Sequence, residues 1–344
     1  MRYGSWRAYG AGLMMLAGCV LTVDGASAAC ATMRKINIGV SVAPPNVVHT
    51  SPYVAKELGY FEKYCIDATI IQFEGGSSPA AKAAAAQGTA LVSVTPIAVG
   101  RGAKVQQIWG LAPRLPQAYM VAEDIKTAKD LKGRKLSAVG GGVGGFNWLM
   151  GREVLKSGGL TVDDAQFISA ATAARLPGLV AGQIDAVALH PEDVYLAQKK
   201  KAGLHVLVQL ADLLPHYFFN AYGASTAWIE RDHDLMVDAV AAMIEANRTI
   251  YKDEAKVVPI MMKATGKPKD AVEYAWKTLT DNCVWSVNEG ADPKRTAWTV
   301  DLDVANGYIK ADHKPTVDQV FNNKIAAEAV KKAGGPVKIG KCTE

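Results

Sequence analysis

The sequence predicts an α/β fold of two similar lobes with a ligand cleft between them, and three observations support this prediction. Short apolar strands alternate with helical segments, which is typical of a parallel sheet covered by helices on both faces. The alternation begins again from Leu131 onward. The chain has 344 residues, a length that suits two hydrophobic cores better than one.

The first half of the chain shows this order of elements. Alternating apolar residues predict a strand over 35–42. Ser51-Pro52 is a favourable helix start, and that helix ends at Gly59. The same rules predict further strands and one further helix: strands over 68–73, 91–95 and 106–111, and a helix over 80–87.

The second half repeats the pattern and then becomes helical. The predicted strands are 135–139, 165–169, 185–189 and 205–210, and the helices between them are 146–156, 176–181 and 192–201. From Trp228 onward, apolar residues spaced by three and four predict mainly helices. These helices are 236–250, 255–264, 270–280 and 324–332.

An internal repeat indicates that the two lobes are alike. Residues 86–96 and 181–191 have the same order: the end of a helix, a glycine turn, an apolar strand and a proline. Thr95 and His190 therefore stand at corresponding strand tips. Ligands of open α/β sheets bind at the carboxyl ends of strands, so we expect both residues to contact a ligand.

Residues 1–28 predict a cleaved secretory signal peptide. Two arginines precede an apolar run over 10–23, and Ala26-Ser27-Ala28 matches the signal-peptidase pattern. The alternative is a lipoprotein signal, in which Cys19 carries the lipid. The apolar run continues beyond Cys19, which favours cleavage after Ala28. We therefore expect an exported, periplasmic protein.

Four cysteines remain after such cleavage: Cys30, Cys65, Cys283 and Cys342. An even number in an oxidising compartment predicts disulfides. Cys30 and Cys65 each lie just before a predicted strand, so we expect them to pair, which leaves Cys283 with Cys342. The spacing alone permits three pairings, and these stay open at this point.

Charge and motif content exclude several classes of protein. The formal net charge is +5, and the basic residues are scattered rather than interleaved with aromatic residues, so nucleic-acid binding is not expected. The cysteines form no Cys-x-x-Cys pair and the histidines do not cluster, so we expect no metal site. No cofactor is predicted.

Two glycine-rich loops each join a strand end to a helix start. The first contains Gly76, Ser77 and Ser78, and the second runs through Gly144 and Gly145 to Phe146. Glycine lets the backbone approach a ligand, and the free N–H groups of a helix start favour an anion. Tight turns without a ligand are the alternative interpretation.

The second loop also matches the G-x-G-x-x-G fingerprint of dinucleotide-binding proteins through Gly140, Gly142 and Gly145. Such a site needs an acidic residue at the end of the next strand. The strand over 165–169 runs into Ala170 and Ala171 instead. We therefore reject a dinucleotide site.

Four further residues are candidate ligand contacts. Asn46 and His49 follow the first strand, and Arg114 lies in a strand-end loop, where it could pair with a carboxylate or sulfonate. Tyr217 belongs to an aromatic run that offers an apolar wall. A solvated arginine and a structural histidine are the alternatives for Arg114 and His190.

Four motifs in order resemble the solute-binding proteins of the nitrate/sulfonate/taurine ABC importers, including the NMT1/THI5-like branch. They are Gly59-Tyr60-Phe61-Glu62-Lys63-Tyr64, Phe73-Glu74-Gly75-Gly76-Ser77, Asp130-Leu131-Lys132-Gly133-Arg134-Lys135-Leu136 and Ala181-Gly182-Gln183-Ile184-Asp185-Ala186. The resemblance runs from about Ile36 to Ala224. Ala90 departs from it, because many members carry an acidic residue there.

The resemblance implies a type II periplasmic-binding-protein fold that closes on its ligand. Its crossovers would be Tyr119 to Glu123 and Asn220 to Ser225. Lobe 1 would then consist of residues 29–122 plus 223–344, and lobe 2 of residues 123–222. The family pattern places the two glycine loops, Thr95 and His190 at the cleft.

The same resemblance implies a monomeric receptor that delivers a small solute to a membrane permease. A carboxylate or sulfonate with an organic, aromatic body fits the helix starts and the aromatic residues; a pyrimidine-like or urea-like solute is the alternative. No enzymatic activity is expected, because the cysteine-rich signature of the pyrimidine-forming enzymes is absent. An exported enzyme using His49, His190 and Glu192, or a sensor coupled to a membrane partner, stays open.

Overall fold

The structure is a computed structural model that describes Met1, residues 3–4, 30–74, 88–138, 144–169 and 171–342. The predicted signal peptide, including Cys19, lies almost entirely outside these described residues. The helix predicted over 80–87 and the first glycine loop also lie outside them. Residues 32–344 form one unit. It contains two sheets, and loops from both sheets form the candidate site described below.

The first sheet is assembled from both ends of the chain. Its strands are β1 (Arg34–Val40), β2 (Ile66–Gln72), β3 (Val92–Ser93), β4 (Val105–Ala112) and β10 (Asn220–Ser225). Strands β1 and β2 are parallel, with Arg34 opposite Ile66. Strand β10 lies between β3 and β4 and is antiparallel to both. A parallel bridge between Ile38 and Leu91 joins the two parts.

The second sheet is built from the middle of the chain. Its strands are β5 (Ala118–Val121), β6 (Lys135–Ser137), β7 (Gln166–Ile168), β8 (Ala186–Leu189) and β9 (His205–Gln209), in the order β7-β6-β8-β5-β9. Strand β6 is parallel to β7 and β8, whereas β5 is antiparallel to both of its neighbours.

Both sheets are therefore mixed, and the expectation of purely parallel sheets was wrong for β5 and β10. Each of these strands enters its sheet from the other sheet, so it arrives at the opposite end and runs antiparallel. Tyr119–Val121 and Asn220–Ser225 lie inside the sheets, and the chain passes between the sheets at 113–117 and 214–219 instead of at the predicted crossovers. The lobe boundaries at 122 and 222 stay a prediction.

Helices cover both sheets. They are α1 (Ser51–Glu57), α2 (Tyr60–Lys63), α3 (Pro96–Gly100), α4 (Phe146–Ser157), α5 (Arg175–Val180), α6 (Pro191–Lys200), α7 (Leu210–Leu213), α8 (Thr226–Arg231), α9 (His233–Lys252), α10 (Glu254–Thr265), α11 (Lys269–Asp281), α12 (Pro293–Ala305), α13 (Val317–Val320) and α14 (Asn323–Lys332). Helices α1, α3, α6 and α12 carry proline in the first turn, where its missing N–H costs nothing. Helix α12 was not predicted.

The largest core belongs to the first sheet and its helices. Helix α9 is buried along most of its length between α1, α2 and α14. Trp109 and Trp285 are fully buried in this core, and their indole N–H groups donate to Asn288 O and Val48 O. These large buried aromatic residues hold the first sheet and the C-terminal helices together as one support.

Cys283 and Cys342 form a disulfide with their Cα atoms 5.3 Å apart, as predicted. Cys30 and Cys65 are also disulfide-bonded, and the pairing predicted for them stays a prediction. None of the helices in the described part of the chain is both long and apolar enough to cross a membrane.

Candidate functional site

The loops after β1 and β8 bring together side chains from the two sheets. Asn46 and His49 follow β1, and His190 caps α6 directly after β8. The imidazole rings of His49 and His190 meet edge to face, with their centroids 5.5 Å apart. Residues that the sequence places at strand ends therefore lie where the two sheets meet.

Six residues around these rings form what we call the histidine cluster: Asn46, His49, Gln117, Arg175, His190 and Glu192. All six are nearly inaccessible to solvent; for His49 and His190 the exposed fractions are 6% and 3%. The Nδ1 atoms of both histidines have no hydrogen-bond partner among the described residues. A buried polar atom left unpaired costs free energy, so these atoms are candidates to bind a ligand or water.

The contact between Gln117 and His190 assigns donors and acceptors in the cluster. Gln117 Nε2 lies 3.1 Å from His190 Nε2. With the amide in this orientation Gln117 Nε2 donates and His190 Nε2 accepts, which places the ring proton of the neutral imidazole on Nδ1. Gln117 Oε1 has no partner among the described residues. The cluster thus offers a ligand at least one N–H donor and one carbonyl acceptor.

Both imidazoles are neutral at physiological pH. Burial, together with a smaller contribution from the nearby Arg175 charge, lowers the pKa of His49 from 6.5 to about 3. Burial also puts the pKa of His190 well below its ordinary value, assisted by His49 and Arg175. A charged imidazole would lose its hydration there, so the neutral form is favoured.

Asn46 links the two sheets through its side-chain amide. Its Nδ2 donates to Glu192 Oε1 at 2.8 Å, and its Oδ1 accepts from Arg175 Nη2 at 3.0 Å. Val47 N also donates to Glu192 Oε1, at 3.1 Å. Burial and the neighbouring Asp193 raise the pKa of Glu192, because both disfavour its charged form.

Arg175 is the cation of the cluster. Its hydrogen bonds to described residues go to neutral oxygens, Thr172 O at 3.2 Å and Asn46 Oδ1 at 3.0 Å. None of the ion pairs in the described part of the chain includes it; the nearby Asp193 pairs with Lys267 instead. A buried guanidinium without a carboxylate partner is suited to an anionic ligand.

Aromatic rings extend from the histidine cluster along one wall. Phe219 lies 6.0 Å from His49 and 6.1 Å from His190, measured between ring centroids. Phe146 lies 5.6 Å from Phe219, and Tyr217 lies 6.4 Å from Phe146. We call His49, His190, Phe219, Phe146 and Tyr217 the aromatic row. Such a wall favours a ligand with an organic body.

Two helix starts and two hydroxyl groups follow strand ends or the second glycine loop. Gly145 is the N-cap of α4, and Gly144 has a φ of 85°, which favours glycine. Thr95 is the N-cap of α3, and its Oγ1, like Ser41 Oγ after β1, is buried without a partner among the described residues. The predicted contacts Gly76, Ser77 and Ser78 lie outside the described residues.

Comparison with known proteins agrees with this architecture. The family model described as NMT1/THI5 like matches residues 46–256, more than half of the chain. The chain belongs to this family. A comparison with curated proteins finds no relative.

Solved structures with the same fold include binding proteins and an enzyme. The alkanesulfonate-binding protein SsuA of Xanthomonas axonopodis pv. citri has a TM-score of 0.67 and 17% identity, covering 85% of this chain and 100% of its own. The nitrate-binding protein NrtA of Synechocystis PCC 6803 has a TM-score of 0.66 and 15% identity, covering 87% and 89%. The desulfurization enzyme DszB has a TM-score of 0.60 and 15% identity, covering 87% and 99%. The predicted type II periplasmic-binding fold of two α/β lobes is confirmed.

One candidate residue of this NMT1/THI5-like protein stands apart from the others. Arg114 is exposed and lies in the loop between β4 and β5. No described contact joins it to the histidine cluster. The strand-end loop was correctly recognised, but the side chain turns outward while Gln117, three residues later, turns inward.

Three members of the site were not singled out as ligand contacts, although Phe219 belongs to the aromatic run 217–219 that predicted an apolar wall. Arg175, Gln117 and Phe219 all follow strand ends at a distance of five or more residues. A search of the whole loop after each strand, rather than its first residues, would have included them. Their burial is set by the second sheet and the crossover segments, for which the sequence carries no local signal.

Contacts between the two lobes surround the cluster. Glu74, after β2, accepts hydrogen bonds from Thr172 N at 2.7 Å and Thr172 Oγ1 at 2.5 Å. On another side, Asp270 of α11 accepts from Tyr195 at 3.0 Å and from Lys199 at 2.7 Å, both on α6. These bonds hold the lobes against each other around the buried site.

Proposed function

We propose that this protein is the periplasmic solute-binding component of an ABC importer, which captures a small organic anion by closure of its two lobes. The observation that carries the proposal is the histidine cluster: unpaired, buried polar atoms contributed by both lobes at one point. A site of this kind becomes complete only when the lobes meet, so binding and closure are coupled. The fold shared with proteins named for sulfonate and nitrate binding supports the same role.

The charge of the site favours an anionic head group. Arg175 supplies a buried positive charge whose partners are neutral. The starts of α4 at Gly145 and of α6 at His190 add the positive ends of two helix dipoles. A carboxylate or sulfonate would replace the hydrogen-bond partners that these groups lack.

The aromatic row favours an organic body on that anion. The rings of Phe219, Phe146 and Tyr217 follow one another, with centroid spacings of 5.6 and 6.4 Å. An ion as small as nitrate would leave that surface without contacts, and unfilled apolar space is costly. We therefore favour a solute larger than nitrate, with a pyrimidine-like or urea-like neutral solute as the competing class.

The competing enzyme function receives less support from the same residues. A general base works best when its pKa lies near the working pH, and burial brings the pKa of His49 to about 3. Glu192 Oε1 already accepts hydrogen bonds from Asn46 and Val47. These features suit binding better than proton transfer, although DszB is an enzyme with a similar fold.

A thermal-shift screen of the protein from Ala29 onward tests the proposal. The screen compares sulfonates, carboxylates, nitrate, pyrimidines and ureas. A hundredfold excess over the dissociation constant stabilises the folded state by about 2.7 kcal/mol. We expect an organic sulfonate or carboxylate to raise the midpoint and to be recovered unchanged by mass spectrometry. Consumption of the hit would support an enzyme, and shifts by neutral solutes alone would reject the anionic class.

Arg175→Gln sharpens this test, because glutamine keeps a polar side chain but removes the charge. Hydrogen bonds to charged groups contribute about 1.5–3 kcal/mol, so we expect a loss of affinity of about 10- to 100-fold for the anion that binds. Arg231→Gln is the control, since Arg231 is exposed and pairs with its neighbour Asp232. Equal affinities in both variants would remove Arg175 from the site.

The location follows from the same proposal. Export requires cleavage of the leader, and we favour cleavage after Ala28 over lipid attachment at Cys19. The mass of the mature chain isolated from the periplasm distinguishes the two, because a lipoprotein would begin at Cys19 and carry acyl chains.

Co-purification with a membrane permease would distinguish an importer component from a receptor coupled to a sensor. A monomer is expected.

A further inference from the structure

Glu192 is a buried carboxyl group at the junction of the two sheets. It lies in the first turn of α6, after β8 of the second sheet, and is 0% exposed. Its Oε1 accepts hydrogen bonds from Asn46 Nδ2 at 2.8 Å and from Val47 N at 3.1 Å, both in the segment after β1 of the first sheet. Its Oε2 is buried without a hydrogen-bond partner among the described residues. The enclosure of Glu192 therefore depends on contact between the two sheets.

A second carboxyl group competes for the same amide. Asn46 Nδ2 lies 3.5 Å from Asp193 Oδ2 as well as 2.8 Å from Glu192 Oε1. Two buried carboxylates that share one donor repel each other, so one of them takes up a proton. Asp193 forms an ion pair with Lys267, whereas Glu192 has no ion-pair partner within the described ranges. The proton is therefore expected on Glu192.

The charged and titratable groups around Glu192 leave it without a cation of its own. They come from four elements: His190 and Asp193 of α6, His49 after β1, Arg175 of α5, and Lys267 between α10 and α11. Arg175 donates to Asn46 and Thr172 instead. Burial and the Asp193 charge raise the pKa of Glu192, and the N–H groups of Asn46, Val47 and Glu192 itself oppose this rise without cancelling it.

Separation of the lobes would give Glu192 a different environment. It would remove Asn46 and Val47 from the carboxyl group and admit water. A hydrated glutamate is ionised at neutral pH, whereas an unpaired charge is costly to bury. A negative charge enclosed in an anion site would also repel the solute. Closure is therefore more favourable with the neutral acid than with the carboxylate.

We propose that Glu192 is a positioning residue that closes over the solute as a neutral carboxylic acid, so that capture of the anion takes up one proton. The proton comes from solvent, resides on Oε2 and is released when the lobes separate. Oε1 keeps its role as acceptor for Asn46, which in turn holds Arg175. This rests on the proposed function, since it takes closure on an organic anion as given.

Calorimetry with benzenesulfonate and benzoate as probes tests the proton uptake. Titrations at pH 7.5 in imidazole and in Tris count the protons taken up, because these buffers have different heats of ionisation and neither is an anion. The wild type should take up more protons than Glu192→Gln, by up to one per solute. The comparison is a difference because His49 and His190 release protons on burial.

The pH dependence of affinity gives the same comparison a larger readout. The affinity of Glu192→Gln divided by that of the wild type should rise about fivefold or more from pH 6 to pH 8. The limit for one proton is about 100-fold over two pH units. The two histidines are present in both proteins, so their contribution cancels in this ratio.

The direction of the effect at pH 8 separates an acid from a carboxylate at this position. Glutamine keeps an oxygen acceptor for Asn46 and Val47 and is neutral like the acid, so Glu192→Gln should bind the probe more tightly than the wild type. An ionised, structural Glu192 predicts weaker binding by Glu192→Gln at every pH. Glu192→Ala loses the acceptor and should bind more weakly than Glu192→Gln. Glu230→Gln is the control, because Glu230 is exposed on α8, and it should follow the wild type.

Urea unfolding without solute is an independent measurement. The pKa of Glu192 is raised above 4.5 in the folded protein, so its contribution to stability is present below pH 4.5 and is lost as the pH rises through the raised value. The unfolding equilibrium constant of the wild type, divided by that of Glu192→Gln, should therefore rise about fivefold or more from pH 6 to pH 8.

The failures are distinguishable. Binding of a probe with the same pH dependence in the wild type and Glu192→Gln overturns this inference and leaves the proposed function standing. Absence of binding by every anion of the thermal-shift screen overturns the proposed function. The urea measurement then decides the state of Glu192, and a ratio that is constant with pH overturns the inference as well.

Discussion

His49 and His190 meet edge to face with their ring centroids 5.5 Å apart, although one follows β1 of the first sheet and the other follows β8 of the second. Their burial depends on both lobes at once. Separation of the lobes would hydrate both rings and restore their ordinary basicity. The protonation of these two residues is therefore linked to closure as well as to folding.

This linkage predicts a loss of stability in acid. The pKa of His49 is about 3 in the folded protein and 6.5 ordinarily, so the unfolded chain takes up the proton first as the pH falls. The contribution of neutral His49 to the free energy of unfolding is fully present above pH 6.5. It is lost as the pH falls from 6.5 toward 3. At pH 5 the loss from His49 alone is about 2 kcal/mol.

Urea unfolding of the wild type and of His49→Gln at pH 7.5 and pH 5 measures this contribution. The free energy of unfolding of the variant should fall by about 2 kcal/mol less between the two pH values. The comparison is made as a difference because the raised pKa of Glu192 acts in the opposite direction. His313→Gln, at an exposed position, should behave as the wild type. An equal fall in all three proteins would mean that His49 is accessible to protons.

The contact of Glu74 with Thr172 predicts a variant that alters closure while keeping the backbone oxygen of Thr172, to which Arg175 Nε donates. Thr172 N and Oγ1 both donate to Glu74 Oε1, and the two residues belong to loops of different lobes. Thr172→Val removes one of these bonds and keeps the shape of the side chain. A hydrogen bond to a carboxylate contributes about 1.5–3 kcal/mol, so the affinity for the bound solute should fall about 10- to 100-fold.

Small-angle scattering separates this explanation from a direct ligand contact. The open form should be more populated in Thr172→Val without solute, which appears as a larger radius of gyration, and saturating solute should restore the compact value. Lys263→Ala is the control, since Lys263 pairs with Glu57 within one lobe. A weaker affinity with an unchanged radius in the free protein would indicate that Thr172 touches the solute.

The disulfide between Cys283 and Cys342 predicts a stability effect that does not depend on the ligand. It spans a sequence separation of 59 residues and encloses α12, α13 and α14. Closing a loop of this length in the unfolded chain is worth about 4 kcal/mol in the chain-entropy model. The double variant Cys283→Ser/Cys342→Ser should lose stability of this order in urea unfolding. A change below about 1 kcal/mol would mean that the tail is held by packing alone.

The sequence predicts the regular parts of the fold because they carry local signals. Alternation of Ile36, Ile38 and Val40 gives β1, and proline in the first turn marks α1 and α6. The antiparallel course of β5 and β10 has no such signal. A strand of four apolar residues reads the same in either direction, and only the path between the sheets decides it.

The residues of the candidate site also divide into those with a local sequence signal and those without one. His49, His190 and Thr95 stand directly at strand ends, so their positions follow from topology. Arg175 follows β7 by several residues and a 3-10 turn, and its burial requires the opposing Asn46. Helix α12 has an Asp292 cap and Pro293 at its start. Its large apolar residues, at 298, 300, 302 and 304, are spaced by two rather than by three and four, so it was not predicted.

The start of α4 offers the most direct prediction for the charge of the solute. Gly145 is its N-cap, with φ −80° and ψ 175°, a backbone conformation that aspartate and asparagine adopt equally well. Both residues are good N-caps, so neither Gly145→Asp nor Gly145→Asn should destabilise the helix. The two side chains have the same shape, and the negative charge is what distinguishes them.

If the solute carries its negative charge near this helix start, Gly145→Asp should bind it at least tenfold more weakly than Gly145→Asn. Aspartate would occupy the free N–H groups and repel the anion, while asparagine would occupy them without repulsion. Calorimetry in low salt and at 0.5 M salt measures both affinities, and added salt should narrow the gap because it screens the charge. Equal affinities in the two variants would place the anionic head at Arg175 alone, away from the second glycine loop.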